Sequence, residues 1–203
     1  MNKTYHKTII KALKAIKENF KEKDSMYFLS ESDLKCALYH ELISSDKELY
    51  KYDFATTKNN NSNKKVKIQS LYTEVDISNE NEKSKFCDLA IIESNEIRFE
   101  KELKNNVYSW RLGNKRDNLK DSVFIELKFS YEKSSKSIIK EIKTDRTKLN
   151  NKVRESNKYI IYLDIGSKII KDKKTGKIES LNKNKDKLRV IYIPKEGNCI
   201  GLK

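Results

Sequence analysis

Proline occurs once and glycine five times in this 203-residue chain. No glycine-rich phosphate loop such as G-x-x-x-x-G-K is present. Three cysteines, Cys36, Cys87 and Cys199, lie far apart and are odd in number. They form no C-x-x-C zinc pattern and no disulfide framework, so reduced thiols in a cytoplasmic protein are the expectation. No apolar window is long enough to cross a membrane. The lysine-studded N-terminal stretch has no signal-peptide core. Arginine is also scarce: only six of the 44 basic residues are Arg. No internal repeat and no helix-turn-helix pattern offers a separate nucleic-acid reading head.

What the chain does have is charge. Charged residues make up 36% and hydrophobic residues 36%, with a formal net charge of +14. The apolar share supports one domain with a modest core and long polar loops. The basic excess favours a polyanionic partner, nucleic acid above all and DNA as the favoured form. Because lysine supplies most of that charge, it speaks for phosphate attraction and not for base reading, which suits the arginine fork better.

Asp121-Ser-Val-Phe-Ile-Glu-Leu-Lys-Phe-Ser130 is the stretch around which the rest is organised. Val123, Phe124, Ile125, Leu127 and Phe129 read as a buried strand. Glu126 and Lys128 interrupt it, and strand alternation sends both to one face. Burying such charges is costly unless they pair or bind something. An acid and a lysine side by side can hold a divalent metal and a phosphate together; a cross-strand ion pair or a half-exposed edge strand is the plainer alternative. Phe86-Cys-Asp-Leu-Ala-Ile-Ile92 is a second apolar strand, interrupted only by Asp88. Aspartate is depleted in strands, and a cation would account for it there. Upstream, Val66 to Ile77 reads as one strand with Leu71, Thr73, Val75 and Ile77 on one face, and Tyr72, Glu74 and Asp76 on the other.

Helical periodicity marks residues 3 to 20, with Ile9, Leu13, Ile16 and Phe20 as the stripe. Ser30 is a good N-cap for a second helix over 31–43, whose Leu34, Leu38, Leu42 stripe has Glu31 in its middle. Glu31 either serves a site or favours the positive end of the helix; Glu41 lies at the flank and His40 points away. A third helix runs from Ser134 or Ser135 to about Arg154, with Asp145 inside its apolar stripe, placed to orient a lysine or cap a neighbouring element. Tyr159 to Ile165 and Leu188 to Ile193 are further strands, and the 123–165 strand–helix–strand order suits a parallel crossover. Residues 46–65 read as a polar loop. Residues 93–121 read as an insertion in which Trp110 and Arg111 either stack on nucleic acid or cap the core.

The order Glu31 on a helix, Glu74 and Asp88 on strands, then Glu126-Leu-Lys128 on a strand followed by a helix and a strand resembles the PD-(D/E)xK nuclease superfamily. The resemblance spans about residues 28–165, with Cys87 standing where the name has proline. It implies an α/β fold of mixed α+β character, a central mixed sheet flanked by helices in a restriction-endonuclease-like core. It implies Mg²⁺-dependent phosphodiester hydrolysis, with Mn²⁺ as a substitute. Asp88, Glu126 and the Leu127 carbonyl would be the metal ligands, and Lys128 and Glu31 the further catalytic residues. Glu74 is an additional candidate. Lys128 would hold or deprotonate the attacking water, or stabilise charge on the phosphate. A homodimer or a larger nuclease complex would suit such an enzyme. A scaffold of the same fold that binds nucleic acid without cutting it is the alternative.

Overall fold

Tyr159-Ile-Ile-Tyr-Leu163 is apolar in both directions, as an inner strand of a covered parallel sheet must be. It lies in β8 (Asn157–Asp164), every residue of which is buried. The computed structural model describes residues 3–22, 30–50, 53–59, 62–78, 83–93, 97–103, 107–112, 119–131, 133–165, 178–182, 187–194 and 198–202. The elements are α1 (Lys3–Glu22), α2 (Glu31–Ser45), a 3-10 turn (Lys47–Tyr50), β1 (Asp53–Asn59), β2 (Ser62–Ile68), β3 (Leu71–Asp76), β4 (Phe86–Ile91), β5 (Ile97–Leu103), β6 (Val107–Leu112), β7 (Val123–Ser130), α3 (Ser135–Lys152), β8 and β9 (Leu188–Pro194).

Five strands form the central sheet in the order β3-β4-β7-β8-β9. The first two pairings are antiparallel and the last two parallel, so the sheet is mixed. With helices on both faces, this is an α/β fold. Helix α3 carries the chain from β7 to its parallel neighbour β8. On one face, Ile9, Leu13 and Ile16 of α1 and Leu34, Leu38 and Leu42 of α2 pack on Leu89, Ile125, Leu127, Ile161 and Ile191. On the other, Ile138, Ile142 and Leu149 of α3 pack on Ala90, Phe124, Ile160 and Val190. Phe124 and Ile125 thus serve opposite layers, as neighbouring strand residues must. No described helix is long and apolar enough to cross a membrane.

The Ser30 cap forms as its sequence implies: the Ser30 hydroxyl accepts the Asp33 N–H at 3.2 Å. This fixes where α2 begins, and so where Glu31 stands. Ser30→Ala is expected to lower stability by about 1 kcal/mol in urea unfolding. An unchanged midpoint would show that the cap does not hold this helix end.

Two expectations fail. The 46–65 stretch is not all loop, because β1 pairs with β2 as an antiparallel hairpin, Asp53 opposite Ile68 through Asn59 opposite Ser62. Its Thr, Lys and Asn residues lack the apolar alternation that marks a strand, so composition does not reveal the pairing. The 66–77 stretch is not one strand either: it is divided at residues 69–70 between β2 and β3. Leu71 and Val75 do not share a face, since Leu71 joins the α1/α2 layer whereas Val75 and Ile77 join the α3 layer. The exchange falls at Glu74, whose φ of 52° lies in the left-handed region, and the partner strand changes faces at the same level, Cys87 joining the α3 layer and Leu89 the α1/α2 layer. Between β4 and β7, the β5–β6 hairpin forms a sheet of its own, outside the central one. Trp110 and Arg111 fall on β6, but their side chains lie outside the described residues.

Candidate active site

The ladder between β4 and β7 runs Ile91–Val123, Ala90–Phe124, Leu89–Ile125 and then stops. The next pair would set Asp88 against Glu126. Instead the Asp88 carboxylate takes over as acceptor: Oδ2 receives the Leu127 N–H at 2.7 Å. A side chain thereby replaces the strand where β4 parts from β7. A residue's N–H and C=O leave an extended strand on the same edge. The Leu127 carbonyl therefore also faces the Asp88 edge.

On the far side of β4 the same position is distorted. Glu74 sits in register with Asp88, yet the β3–β4 pairing skips that one pair. A left-handed backbone at a non-glycine residue costs about 1–2 kcal/mol, and such distortions gather at functional sites. Two neighbouring strands thus loosen at one level of the sheet, around Asp88.

Acids and lysines from five elements converge there. Lys128 Nζ on β7 lies 3.6 Å from Glu31 Oε2 on α2 and 3.7 Å from Asp145 Oδ2 on α3. Lys148 on α3 lies 2.6 Å from Glu126 Oε1 and 3.9 Å from Asp145 Oδ1. Its ammonium also donates to the Phe86 carbonyl at 3.1 Å. Lys35 on α2 pairs with Glu74 on β3 and lies 3.4 Å from Asp88 Oδ1. Both β7 charges reach groups on α3, as alternation along the strand requires.

Burial sets the electrostatics. Glu126 is 2% exposed. Burial pushes its carboxyl from 4.5 up to about 7; Lys148 opposes the rise and the Asp88 and Asp145 carboxylates add to it. Burial likewise raises Glu31 and Asp145, in each case against the pull of Lys128. Desolvation alone would lower Lys128, but Asp145, Glu31, Glu126 and Asp88 outweigh it and raise the ammonium above its usual range. Lys35 is raised in the same manner, by Glu74 and Asp88 against burial.

Among the described residues, no three acidic, histidine or cysteine side chains converge closely enough to ligate one ion unaided. Lysines stand between the carboxylates instead. The donors at the fork are nevertheless all oxygens: the Asp88 and Glu126 carboxylates, with the Leu127 carbonyl on the same edge. Glu126 Oε1 and Asp145 Oδ2 are buried without a hydrogen bond of good geometry. Two carboxylates and a carbonyl fit Mg²⁺, which keeps several of its own waters.

Glu31, Asp88, Glu126 and Lys128, picked out as charges in apolar patterns, therefore meet in one cluster, with Glu74 attached through Lys35. Asp145 holds Lys128, the lysine-orienting role its place in the α3 stripe suggested. His40 is exposed and borders Glu41 at 4.0 Å. Lys35 and Lys148 were missed. Their signal was present: Lys35 follows Glu31 by four residues and Lys148 follows Asp145 by three, so each shares a helix face with a site acid. Comparison with known protein families, with curated proteins and with solved structures finds no match for the chain.

Proposed function

We propose that the chain is a metal-dependent nuclease that hydrolyses phosphodiester bonds, DNA being the favoured substrate, with a restriction-endonuclease-like core around the β4–β7 fork. One observation carries this reading. The Asp88 carboxylate is anchored by the Leu127 N–H at the point where two strands separate, beside buried Glu126 and beside Lys128. A purely structural protein has no use for an interrupted strand ladder with five acids gathered around it. The net charge of +14 suits a phosphate polymer.

Asp88, Glu126 and the Leu127 carbonyl would hold the cation. When bound there, Mg²⁺ supplies Lewis-acid polarisation of a phosphoryl oxygen and acidifies a water. The chain's own groups do the rest. The Leu127 N–H fixes one Asp88 oxygen and leaves the other toward the site. Asp145 and Glu31 keep Lys128 protonated, so among the roles open to it charge stabilisation on the phosphate is the one its surroundings favour, not proton abstraction. Glu31 and Asp145, on two different helices, bracket that ammonium and orient it.

Thermal unfolding with added cation tests the metal half of this reading. Mg²⁺ or Mn²⁺ at saturating concentration is expected to raise the Tm of the wild-type protein by mass action, and Glu126→Ala is expected to lose most of the rise. Equal behaviour of both proteins with and without EDTA would refute a metal site here and leave a protein that binds nucleic acid without cutting it.

A further inference from the structure

Lys148 occupies a telling place. It belongs to α3, not to the strand that carries Glu126, yet its ammonium rests 2.6 Å from the one Glu126 oxygen that is buried and lacks a well-formed hydrogen bond. A cation held by Glu126 through that oxygen would have to take the place of the ammonium. An ammonium and a divalent ion cannot both sit there. We infer that Lys148 is a resident counter-ion of the cation-free protein, one that a divalent cation displaces from Glu126 and whose presence sets how tightly that cation binds. This rests on the metal site proposed above.

Three features make the displacement feasible. The ammonium has three donors and other acceptors at hand: the Phe86 carbonyl at 3.1 Å and Asp145 Oδ1 at 3.9 Å. On leaving Glu126 it keeps both, and so remains at the edge of the site, where a substrate phosphate would find it. The charge count also works. Glu31, Glu74, Asp88, Glu126 and Asp145 face Lys35, Lys128 and Lys148, so the fully ionised cluster carries two net negative charges, which one divalent ion neutralises. Lys35 is not equivalent, since it is tied to Glu74 as well as to Asp88 and does not rest on the buried oxygen. Lys148 acts through Glu126 and competes with the ion for it.

The test is a Mn²⁺ titration by calorimetry at pH 8 on EDTA-stripped wild type, Lys148→Met, Lys148→Arg and Glu126→Ala. Removing a positive charge next to a ligand is worth about one to three logarithmic units. Lys148→Met is therefore expected to bind Mn²⁺ about tenfold or more tightly than wild type. Lys148→Arg should stay within about threefold of wild type, and Glu126→Ala should bind weakly or not at all. Without cation, Lys148→Met should also melt lower than wild type and recover when Mn²⁺ is added, which shows that it folds. Equal or weaker Mn²⁺ binding by Lys148→Met, with wild-type binding intact, overturns the counter-ion role and leaves the metal site standing. No binding by wild type or Lys148→Met overturns both.

Discussion

Asp88→Asn should leave the fold standing and abolish cleavage. The substitution separates two duties of one side chain. An asparagine carbonyl can still accept the Leu127 N–H that Asp88 Oδ2 takes at 2.7 Å, so the fork between β4 and β7 keeps its partner. The negative charge is lost, and with it one of two carboxylates for the cation. Metal-assisted charge stabilisation is worth several kcal/mol, which corresponds to a fall in rate on the order of 10³-fold. Single-turnover cleavage of a labelled duplex, with circular dichroism on the same samples, would measure both duties. Asp88→Ala should cost more stability than Asp88→Asn, because it leaves the Leu127 N–H without an acceptor. Near-wild-type cutting by Asp88→Asn would remove Asp88 from the chemistry.

Glu126→Gln should lose cleavage and gain stability, and the gain should depend on pH. The folded carboxyl is raised to about 7 by burial, against 4.5 ordinarily. Between those values the native state holds a proton that the unfolded chain has released. Stability therefore falls as pH rises through that window, and above pH 7 the folded protein bears the whole penalty. The shift corresponds to a penalty on the order of 3 kcal/mol. A buried glutamine returns part of it through its own unmet hydrogen bonds, so a net gain of about 2 kcal/mol at pH 8 is expected. For a chain of this size that is a Tm higher by roughly 4–8 °C, a gain that vanishes near about pH 5 and turns into a small loss below it, where the glutamine's unmet hydrogen bonds remain and the ionisation penalty is gone. Melting curves in EDTA across this range would check it. A variant less stable than wild type at pH 8 would mean that the Lys148 ion pair outweighs burial.

The two effects express one trade: a charge kept where it harms the fold is a charge kept for something else. That is also why so much of the cluster was legible before the fold was known. Glu126 and Asp88 interrupt apolar strands and Glu31 and Asp145 interrupt apolar helix stripes, and each interruption is a cost that pattern alone exposes. Lys35 and Lys148 interrupt no apolar pattern, and in a chain with 44 basic residues their spacing from Glu31 and Asp145 stands out only weakly. Lys35 and Lys148 look like solvated helix positions until tertiary packing turns them toward the acids. The α/β layering was legible for a similar reason, since strands apolar on both sides, as at residues 159–163, call for helices above and below. The β1–β2 hairpin was not, because it carries no apolar alternation. Nor was the exchange of faces within β3: it falls at Glu74, and no propensity marks a glutamate for the left-handed conformation found there.

The most direct measurement is cleavage of supercoiled plasmid, linear duplex, single-stranded DNA and RNA, each in Mg²⁺, Mn²⁺ or EDTA, by wild type, Asp88→Asn and Lys128→Ala. Wild type should cut with either cation and not in EDTA, and both variants should lose on the order of 10³-fold. Cutting that survives EDTA or survives Lys128→Ala would contradict the metal-dependent nuclease reading, as would a wild-type protein that takes up Mn²⁺ and leaves every polymer intact.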